Sequence, residues 1–354
     1  MRGLRYAAGA AVVLLALAGC SSGGASADSG GTTKVTIGGA YKADFGLVWI
    51  AKQQGFFRQQ GIDVSTFDTS GVDANATMSA FLGGQFPIID VAAPTEMFAK
   101  QSGGHLHAVM AMDTGEQIEV TINNAAASAA GVSLTGDPTR ELTALKGSHL
   151  SIAVTSTSSP AYNNLVAELK THGLTIGPGA DVNVQTVGSI SAQVAGLKAG
   201  RLAAAASTPP SIPVIPNTTV INLGRITPLS QSVGQYLCVA DSFAAAHPKT
   251  VQAVVTAIAQ AWQYAHQHPA QAEKIISSLD KVNGVTDPAE VHTLFADSSS
   301  YWRTPTMEQS GFDSAVHTVN LAQKQGLTLS YNDFADPKYV QAAVRQLHLQ
   351  VPPG

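Results

Sequence analysis

The stretch Val35–Phe67, VTIGGAYKADFGLVWIAKQQGFFRQQGIDVSTF, predicts a β-strand, a loop, a helix and a second β-strand. Residues 35–37 alternate apolar and polar side chains, as a half-buried strand does. An amphipathic helix follows and ends at Gly55, and residues 62–67 again alternate. Because ligands of βαβ units gather beyond the carboxyl ends of the strands, the loop 38–45 is the first place where we expect a site.

The same order of elements returns in the second half of the chain. The segment FLGGQFPIIDVAAP aligns with GLKAGRLAAAASTPP when Gly84 is set on Gly200 and Pro94 on Pro210. Each copy gives a helix, a glycine, a strand and a proline, and glycine commonly ends helices. The repeat predicts an α/β fold with two lobes, each a mixed sheet flanked by helices, with a hinge and a cleft between them.

The sequence divides into four predicted parts: a signal peptide, a tether and two lobes. Residues 1–19 are predicted to be a signal peptide and residues 20–33 a flexible tether. Lobe one is predicted to comprise residues 34–122 and 240–349, and lobe two residues 123–239. The region from 123 to 137 is rich in Ala, Ser and Asn without an apolar period, which favours a crossing between the lobes.

The amino terminus has the composition of an export signal. Arg2 and Arg5 precede an apolar run at 7–18, which is short for a membrane span, and the run ends in L-A-G-C. This junction is typical of bacterial lipoproteins and makes Cys20 the predicted lipid attachment site, although a plain secretory peptide is the alternative. We therefore expect a protein that is held by its lipid on the extracytoplasmic face of the cell membrane.

The charge balance and the cysteine count exclude several classes of protein. The chain has 354 residues, 24 of them acidic and 20 basic, and loss of the signal with its two arginines would make the mature chain still more acidic. A nucleic-acid partner is therefore not expected. Cys238 is the only cysteine besides Cys20, so lipidation of Cys20 would leave no intrachain disulfide.

No catalytic or cofactor signature is present in the sequence. There is no G-x-S-x-G, H-E-x-x-H or phosphate-loop motif. The pairs His105/His107 and His266/His268 fall short of the three or four ligands that a zinc site needs. We therefore expect neither a metal nor a cofactor.

The candidate ligand contacts are the polar and aromatic residues at predicted strand ends. Ser156–Ser159 precedes a helix that starts at Pro160, and a helix N-terminus favours an anionic group. The alternative is an ordinary loop with Ser159 as the N-cap. Asp44 can likewise be a helix cap, and Phe45 a core residue. The full set is Tyr41, Asp44, Phe45, Ser70, Gly71, Pro94, Thr95, Thr155, Ser156, Thr157, Ser158, Ser159 and Thr208.

The opening stretch also resembles a known family. It is similar to the solute-binding lipoproteins of nitrate, sulfonate and taurine ABC importers, a family related to thiamine-pyrimidine proteins, and weaker similarity runs from 34 to 347. The family's aspartate is absent here, where Pro87 and Ala203 stand. The matching residues are Ile37, Gly38, Ile50, Ala51, Gly55, Phe56, Phe57, Gly61, Ile62, Asp63 and Val64.

The resemblance implies a type II periplasmic-binding-protein fold and no enzymatic activity. It implies a monomer that binds a small-molecule solute and delivers it to an ABC permease. Three alternatives remain: a binder of a thiamine-type pyrimidine, an enzyme similar to the pyrimidine synthases, and a partner of a signalling receptor. Those synthases carry a cysteine-rich motif that this chain lacks.

The charges near the proposed cleft bear on the class of solute. Only Lys42 and Arg225 are basic there, whereas Asp44, Asp113 and Glu116 are acidic. A bare anion such as nitrate would meet net repulsion, but an amine would not. We therefore expect a small organic solute, either an aminosulfonate-like zwitterion or a thiamine-type pyrimidine.

Overall fold

The computed structural model describes residues 26–27, 32–39, 45–69, 74–114, 118–157, 159–208, 212, 214–226, 232–283 and 302–351. Its strands are β1 Ser26–Ala27, β2 Thr33–Gly39, β3 Ile62–Asp68, β4 Ile88–Ala92, β5 Leu106–Thr114, β6 Glu119–Asn123, β7 Leu150–Val154, β8 Val182–Thr186, β9 Ala204–Ser207, β10 Thr218–Asn222 and β11 Val233–Ala240. Its helices are α1 Gly46–Gln53, α2 Phe56–Gln59, α3 Ala74–Leu82, α4 Ala93–Gln101, α5 Asn124–Ala129, α6 Pro138–Ala144, α7 Pro160–Thr171, α8 Ile190–Lys198, α9 Asp241–Ala246, α10 Pro248–Gln267, α11 Pro269–Asn283, α12 Gln309–Ala322, α13 Tyr331–Phe334 and α14 Lys338–Leu347.

The strands form two mixed sheets. The first has the order β3-β2-β4-β11-β5, with the two-residue β1 also pairing with β2, and the second has the order β10-β6-β9-β7-β8. β2 is parallel to β3 and β4, whereas β11 is antiparallel to both of its neighbours. In the second sheet, β7 is parallel to β8 and β9, and β6 is antiparallel to β9 and β10. The predicted two-lobed α/β fold is confirmed, and we call the first sheet with its helices lobe one and the second lobe two.

Lobe one has the larger apolar core, and the twenty-residue helix α10 contributes much of it. Pro248 stands at the helix start, where its missing N–H costs nothing. Val251, Val255 and Ile258 recur at helical spacing and are fully buried. Trp262 on the same helix donates its indole N–H to the carbonyl oxygen of Trp302 at 2.7 Å. This bond ties the chain after residue 301 to the core of lobe one.

Strand pairing determines where the chain passes from one sheet to the other. β5 ends in the first sheet at Thr114, and β6 starts in the second at Glu119. The chain returns between β10 and β11, whose pairing with β4 and β5 places it in the first sheet. The predicted limits at 122/123 and 239/240 do not coincide with these changes of sheet, because they followed composition and not hydrogen bonding.

The segment from 124 to 129, expected to be part of a crossing, is the short helix α5. Asn123 caps it, since its side-chain oxygen accepts from the backbone N–H groups of Ala125 at 3.0 Å and Ala126 at 3.3 Å. Asparagine is among the best N-cap residues, and alanine has the highest helix propensity. The cap and the alanines therefore form a helix without the apolar period that we used to predict one.

The aligned glycines of the two lobes have the same backbone role. Gly84 after α3 has a φ of 80° and Gly200 after α8 has a φ of 64°. These left-handed conformations end helices and favour glycine. The repeat found in the sequence thus corresponds to equivalent helix ends in both lobes.

None of the helices in the described part of the chain combines the length and the apolar character needed to cross a bilayer. Cys20 and the residues predicted to be a signal peptide lie outside the described residues.

Candidate functional site

The carboxyl ends of the parallel strands define one edge of each sheet. In lobe one, β2, β3, β4 and β5 run in the same direction, and their last residues lie on one edge. In lobe two, β7, β8 and β9 share a direction and end on a common edge. Ligands of α/β sheets bind beyond such edges, so these two edges are the candidate site.

The two edges lie close to each other, because the chain passes directly between them. β5 ends on the edge of lobe one at Thr114, and Ile118 already contacts lobe two, where its carbonyl accepts from Leu223 N–H at 2.7 Å. Four residues span at most about 14 Å. The return from Ile226 to Ser232 is six residues long, which span at most about 22 Å. We call the space between these two edges the interlobe cleft.

The loop after β7 brings hydroxyl groups to the lobe-two side of the cleft. Thr155 and Ser156 are half-buried and Thr157 is exposed. The hydroxyl of Ser159 accepts from Tyr162 N–H at 3.2 Å and donates to the carbonyl of Ser156 at 2.9 Å. Ser159 is thus the N-cap of α7, the alternative that the sequence left open. The N-terminus of this twelve-residue helix is directed to the cleft edge and favours a negatively charged group.

Phe45 lies in the core of lobe one and is 1% exposed. A Cβ atom at Gly39 would come within 2.4 Å of its ring, so glycine at the end of β2 is what allows the ring to pack there. Of the other predicted contacts in lobe one, Thr95 is buried in the first turn of α4 and Pro94 is half-buried beside it.

Thr208 is half-buried just beyond the end of β9, on the same edge of lobe two as the hydroxyl loop. Thr155, Ser156, Thr157, Ser159 and Thr208 are therefore brought to one edge. Five predicted contacts lie outside the described residues: Tyr41, Asp44, Ser70, Gly71 and Ser158.

The sequence missed polar residues that strand pairing brings to the cleft. Thr114 and Thr304 form two reciprocal hydrogen bonds: the Thr114 hydroxyl donates to the Thr304 carbonyl at 3.3 Å and accepts from Thr304 N–H at 3.0 Å. Arg303, next to Thr304, is thereby placed at the lobe-one edge. The segment around Arg303 has no periodic pattern, so no sequence signal would have found this contact.

One buried acid of lobe one, Glu96, has a raised pKa. Glu96 on α4 is fully buried, and burial first, then the negative charge of Asp90, raise its pKa well above the usual value. Its side chain also accepts from Tyr236 N–H at 3.3 Å. Burial thus disfavours the charged form of Glu96, which weakens the repulsion that its carboxylate would exert on an anion at the start of α4.

Cys238 and the histidine pairs do not form a reactive or metal-binding centre in the described ranges. The Cys238 thiol is fully buried, and burial, then the charge of Glu96, raise its pKa well above the usual value. A buried protonated thiol is a poor nucleophile. Across the described ranges, no three His, Cys, Asp or Glu side chains are grouped to hold a metal ion. His107 instead contacts Asp241 at 2.6 Å through Nδ1 and Lys100 at 3.2 Å through Nε2.

Solved structures similar to this chain include solute-binding proteins. The periplasmic sulfonate-binding protein SsuA of Methylobacillus flagellatus superposes with a TM-score of 0.67 and 15% identity, over 92% of this chain and 98% of that one. The periplasmic nitrate-binding protein NrtA of Synechocystis gives a TM-score of 0.62 and 13% identity, over 91% and 90%. At these identities the likeness establishes the fold.

An enzyme has a similar fold. The desulfurization enzyme DSZB superposes with a TM-score of 0.57 and 12% identity, over 89% of this chain and 99% of that one. The architecture is therefore compatible with binding and with catalysis, and only the residues of the site can distinguish them.

Comparison with curated proteins finds no significant match. The model of the NMT1-like family matches residues 28–279, which is more than half of the 354-residue chain. With the solute-binding structures above, this match confirms the resemblance drawn from the opening stretch. The chain belongs to the NMT1-like family.

Proposed function

We propose that this chain is the extracytoplasmic solute-binding component of an ABC importer, which closes on a small organic solute and delivers it to a permease. The observation that carries the proposal is the pair of neighbouring strand edges, of which the lobe-two edge is lined by hydroxyl groups. Such an edge can bind a polar solute through several hydrogen bonds without changing it. The family membership and the solute-binding structures of the same fold support this choice.

The solute class that we propose is an aminosulfonate-like zwitterion, with a thiamine-type pyrimidine as the alternative. The N-terminus of α7 and the hydroxyls of its loop suit a sulfonate or carboxylate head. Asp68 at the end of β3 and Glu119 at the start of β6 bring acidic groups to the two edges, which suits an amino group. Arg303 at the lobe-one edge is the second partner that we propose for the anionic head.

Binding is favoured over catalysis by the state of Cys238. The chain has only two cysteines, and Cys238 is fully buried with a pKa raised by that burial. A cysteine nucleophile needs an exposed thiolate. The described part of the cleft instead offers hydrogen-bond donors and acceptors, which are sufficient for reversible binding.

The proposed contacts are tested by a thermal-shift screen of the purified protein against taurine, a thiamine-type pyrimidine and nitrate. Taurine or the pyrimidine should raise the melting temperature, because a solute at about 100 times its dissociation constant stabilises the native state by about 2.7 kcal/mol. Nitrate should have no effect. Stabilisation by nitrate alone would contradict the argument from charge.

Variants locate the site in the same assay. Tyr41→Ala and Ser158→Ala should weaken binding, and we expect the free energy of unfolding of the free protein to change by no more than about 0.5 kcal/mol. Gln325→Ala, an exposed change outside the predicted contacts, is the control. Wild-type affinity in both site variants would reject this placement.

We also propose that a lipid on Cys20 is the membrane anchor of this protein, and that the body acts as a monomer. The L-A-G-C junction supports the anchor. A Cys20→Ala variant should leave the membrane fraction, because each buried CH₂ of a lipid contributes about 0.8 kcal/mol to anchoring. Retention of this variant on salt-washed membranes would contradict a lipid anchor at Cys20.

A further inference from the structure

Helix α12 contacts both lobes. It follows β11, α10 and α11 of lobe one in the chain, yet its most extensive contact is with α7 of lobe two. It also packs on β11, α4 and α13 of lobe one. The two lobes are therefore joined by a packed helix pair in addition to the two chain crossings.

The two contacts of α12 differ in chemistry. Towards lobe one it inserts Phe312, whose ring lies 5.8 Å from those of both Tyr331 and Phe334. Phe312, Ala315 and Val319 belong to the lobe-one core, and none of the α12 residues belongs to the cores of lobe two. Because separating this face would expose an aromatic core, α12 is anchored to lobe one.

Towards lobe two the contacts include hydrogen bonds between polar groups. Gln323, directly after α12, donates from Nε2 to the carbonyl oxygen of Thr157 at 2.8 Å and to the side-chain oxygen of Asn163. Lys170 at the end of α7 donates to the carbonyl of Leu321 at 2.6 Å. Hydrogen bonds of this kind exchange with water at small net cost, so this side of α12 is the one that can separate.

Helix α7 packs on the lobe-two core with one face and on α12 with the opposite face. Ala161, Leu165 and Leu169 form one apolar stripe in the core of lobe two. Asn163 and Lys170 lie on the opposite face, and Ala167 lies between them at helical spacing. Asn163 and Ala167 are 2% and 3% exposed although neither belongs to the lobe-two core, so they are covered by the α12 contact.

We propose that Gln323 is a positioning residue that ties the hydroxyl loop 155–159 of lobe two to lobe one in the closed form of the protein. One amide holds both the loop, through Thr157, and the first turn of α7, through Asn163. When the lobes open, α12 stays with lobe one and these bonds break. The ligand role of the loop rests on the proposed function, but the bond between the lobes does not.

The test is hydrogen–deuterium exchange of the full chain without any solute. The variants are Gln323→Ala, Gln323→Glu and the exposed control Gln325→Ala. Loss of the Gln323 bonds should speed exchange in peptides covering 155–164 by about tenfold, because one or two hydrogen bonds contribute a net free energy of about 1 kcal/mol. Gln323→Glu should have the larger effect, because its carboxylate faces two oxygen acceptors. Exchange at 309–319 should not change.

Two results would overturn the proposal. Wild-type exchange at 155–164 in both Gln323 variants would show that the amide does not hold the loop. Faster exchange across the whole of α12 would show that Gln323 supports only its own helix.

A second arm measures taurine binding by calorimetry. Both Gln323 variants should bind taurine about tenfold more weakly than wild type, with the melting temperature of the free protein unchanged. Unchanged taurine affinity in variants with a loosened loop would overturn the positioning role. If wild type itself binds no taurine, the proposed solute class fails while the exchange result still decides whether Gln323 ties the lobes.

Discussion

Replacement of Phe312 by alanine should lower the free energy of unfolding by about 3–5 kcal/mol, the range for a buried phenylalanine. The side chain is 2% exposed and packs against Phe334, which in turn meets Tyr236 edge-on at 5.1 Å. The substitution opens a cavity at the point where α12 joins lobe one. Chemical denaturation followed by circular dichroism measures the change.

The matched control for Phe312 is Phe67→Ala in β3. Phe67 is 44% exposed and loses much less buried surface, so we expect a cost of about 1 kcal/mol. Equal effects of the two substitutions would mean that α12 is not anchored in the lobe-one core.

Glu168 on α7 should make the protein less stable as the pH rises from about 5 to 8. Burial raises the pKa of its carboxyl from 4.5 to about 7, and the nearby His172, whose Nδ1 lies 3.6 Å away, partly opposes this. The folded state holds the Glu168 proton more tightly than the unfolded state does. The contribution of Glu168 to stability is therefore complete at low pH and is lost as the pH rises through about 7. Since a shift of one pKa unit corresponds to about 1.36 kcal/mol, the loss of stability is about 3 kcal/mol at most.

The Glu168→Gln variant isolates this effect. It should match wild type near pH 5, since Glu168 is then mostly protonated, and exceed it by up to about 3 kcal/mol at pH 8. Glu308→Gln, an exposed glutamate that accepts from the Thr306 hydroxyl, is the control and should follow wild type at every pH. Parallel pH profiles for wild type and Glu168→Gln would contradict the raised pKa.

The sequence predicted the elements that local patterns control. The apolar pattern of Leu150–Val154 predicts a strand, which has those bounds in the structure, and Pro248 marks the start of α10. Both depend on near neighbours in the chain: an apolar run between polar segments, and a proline before a helical period. Gly84 and Gly200 were aligned as helix ends and have the positive φ that such ends favour.

Contacts between residues distant in the chain could not be predicted in this way. The assignment of β6 to the second sheet depends on its pairing with β9 and β10, which composition does not reveal. Arg303 reaches the cleft only because Thr304 bonds to Thr114, 190 residues away. The contact of Gln323 with Thr157 spans 166 residues. These pairings carry no periodic signal, although they decide which residues meet at the cleft.

The central claim is that this protein binds a small organic solute reversibly and does not convert it. The most direct measurement is equilibrium dialysis of the full chain against taurine and a thiamine-type pyrimidine, followed by mass spectrometry of the solute recovered from the protein. We predict that one of them binds saturably, at one molecule per chain, and is recovered with its mass unchanged. Recovery of a chemically altered product would contradict the account, and so would the absence of binding by both.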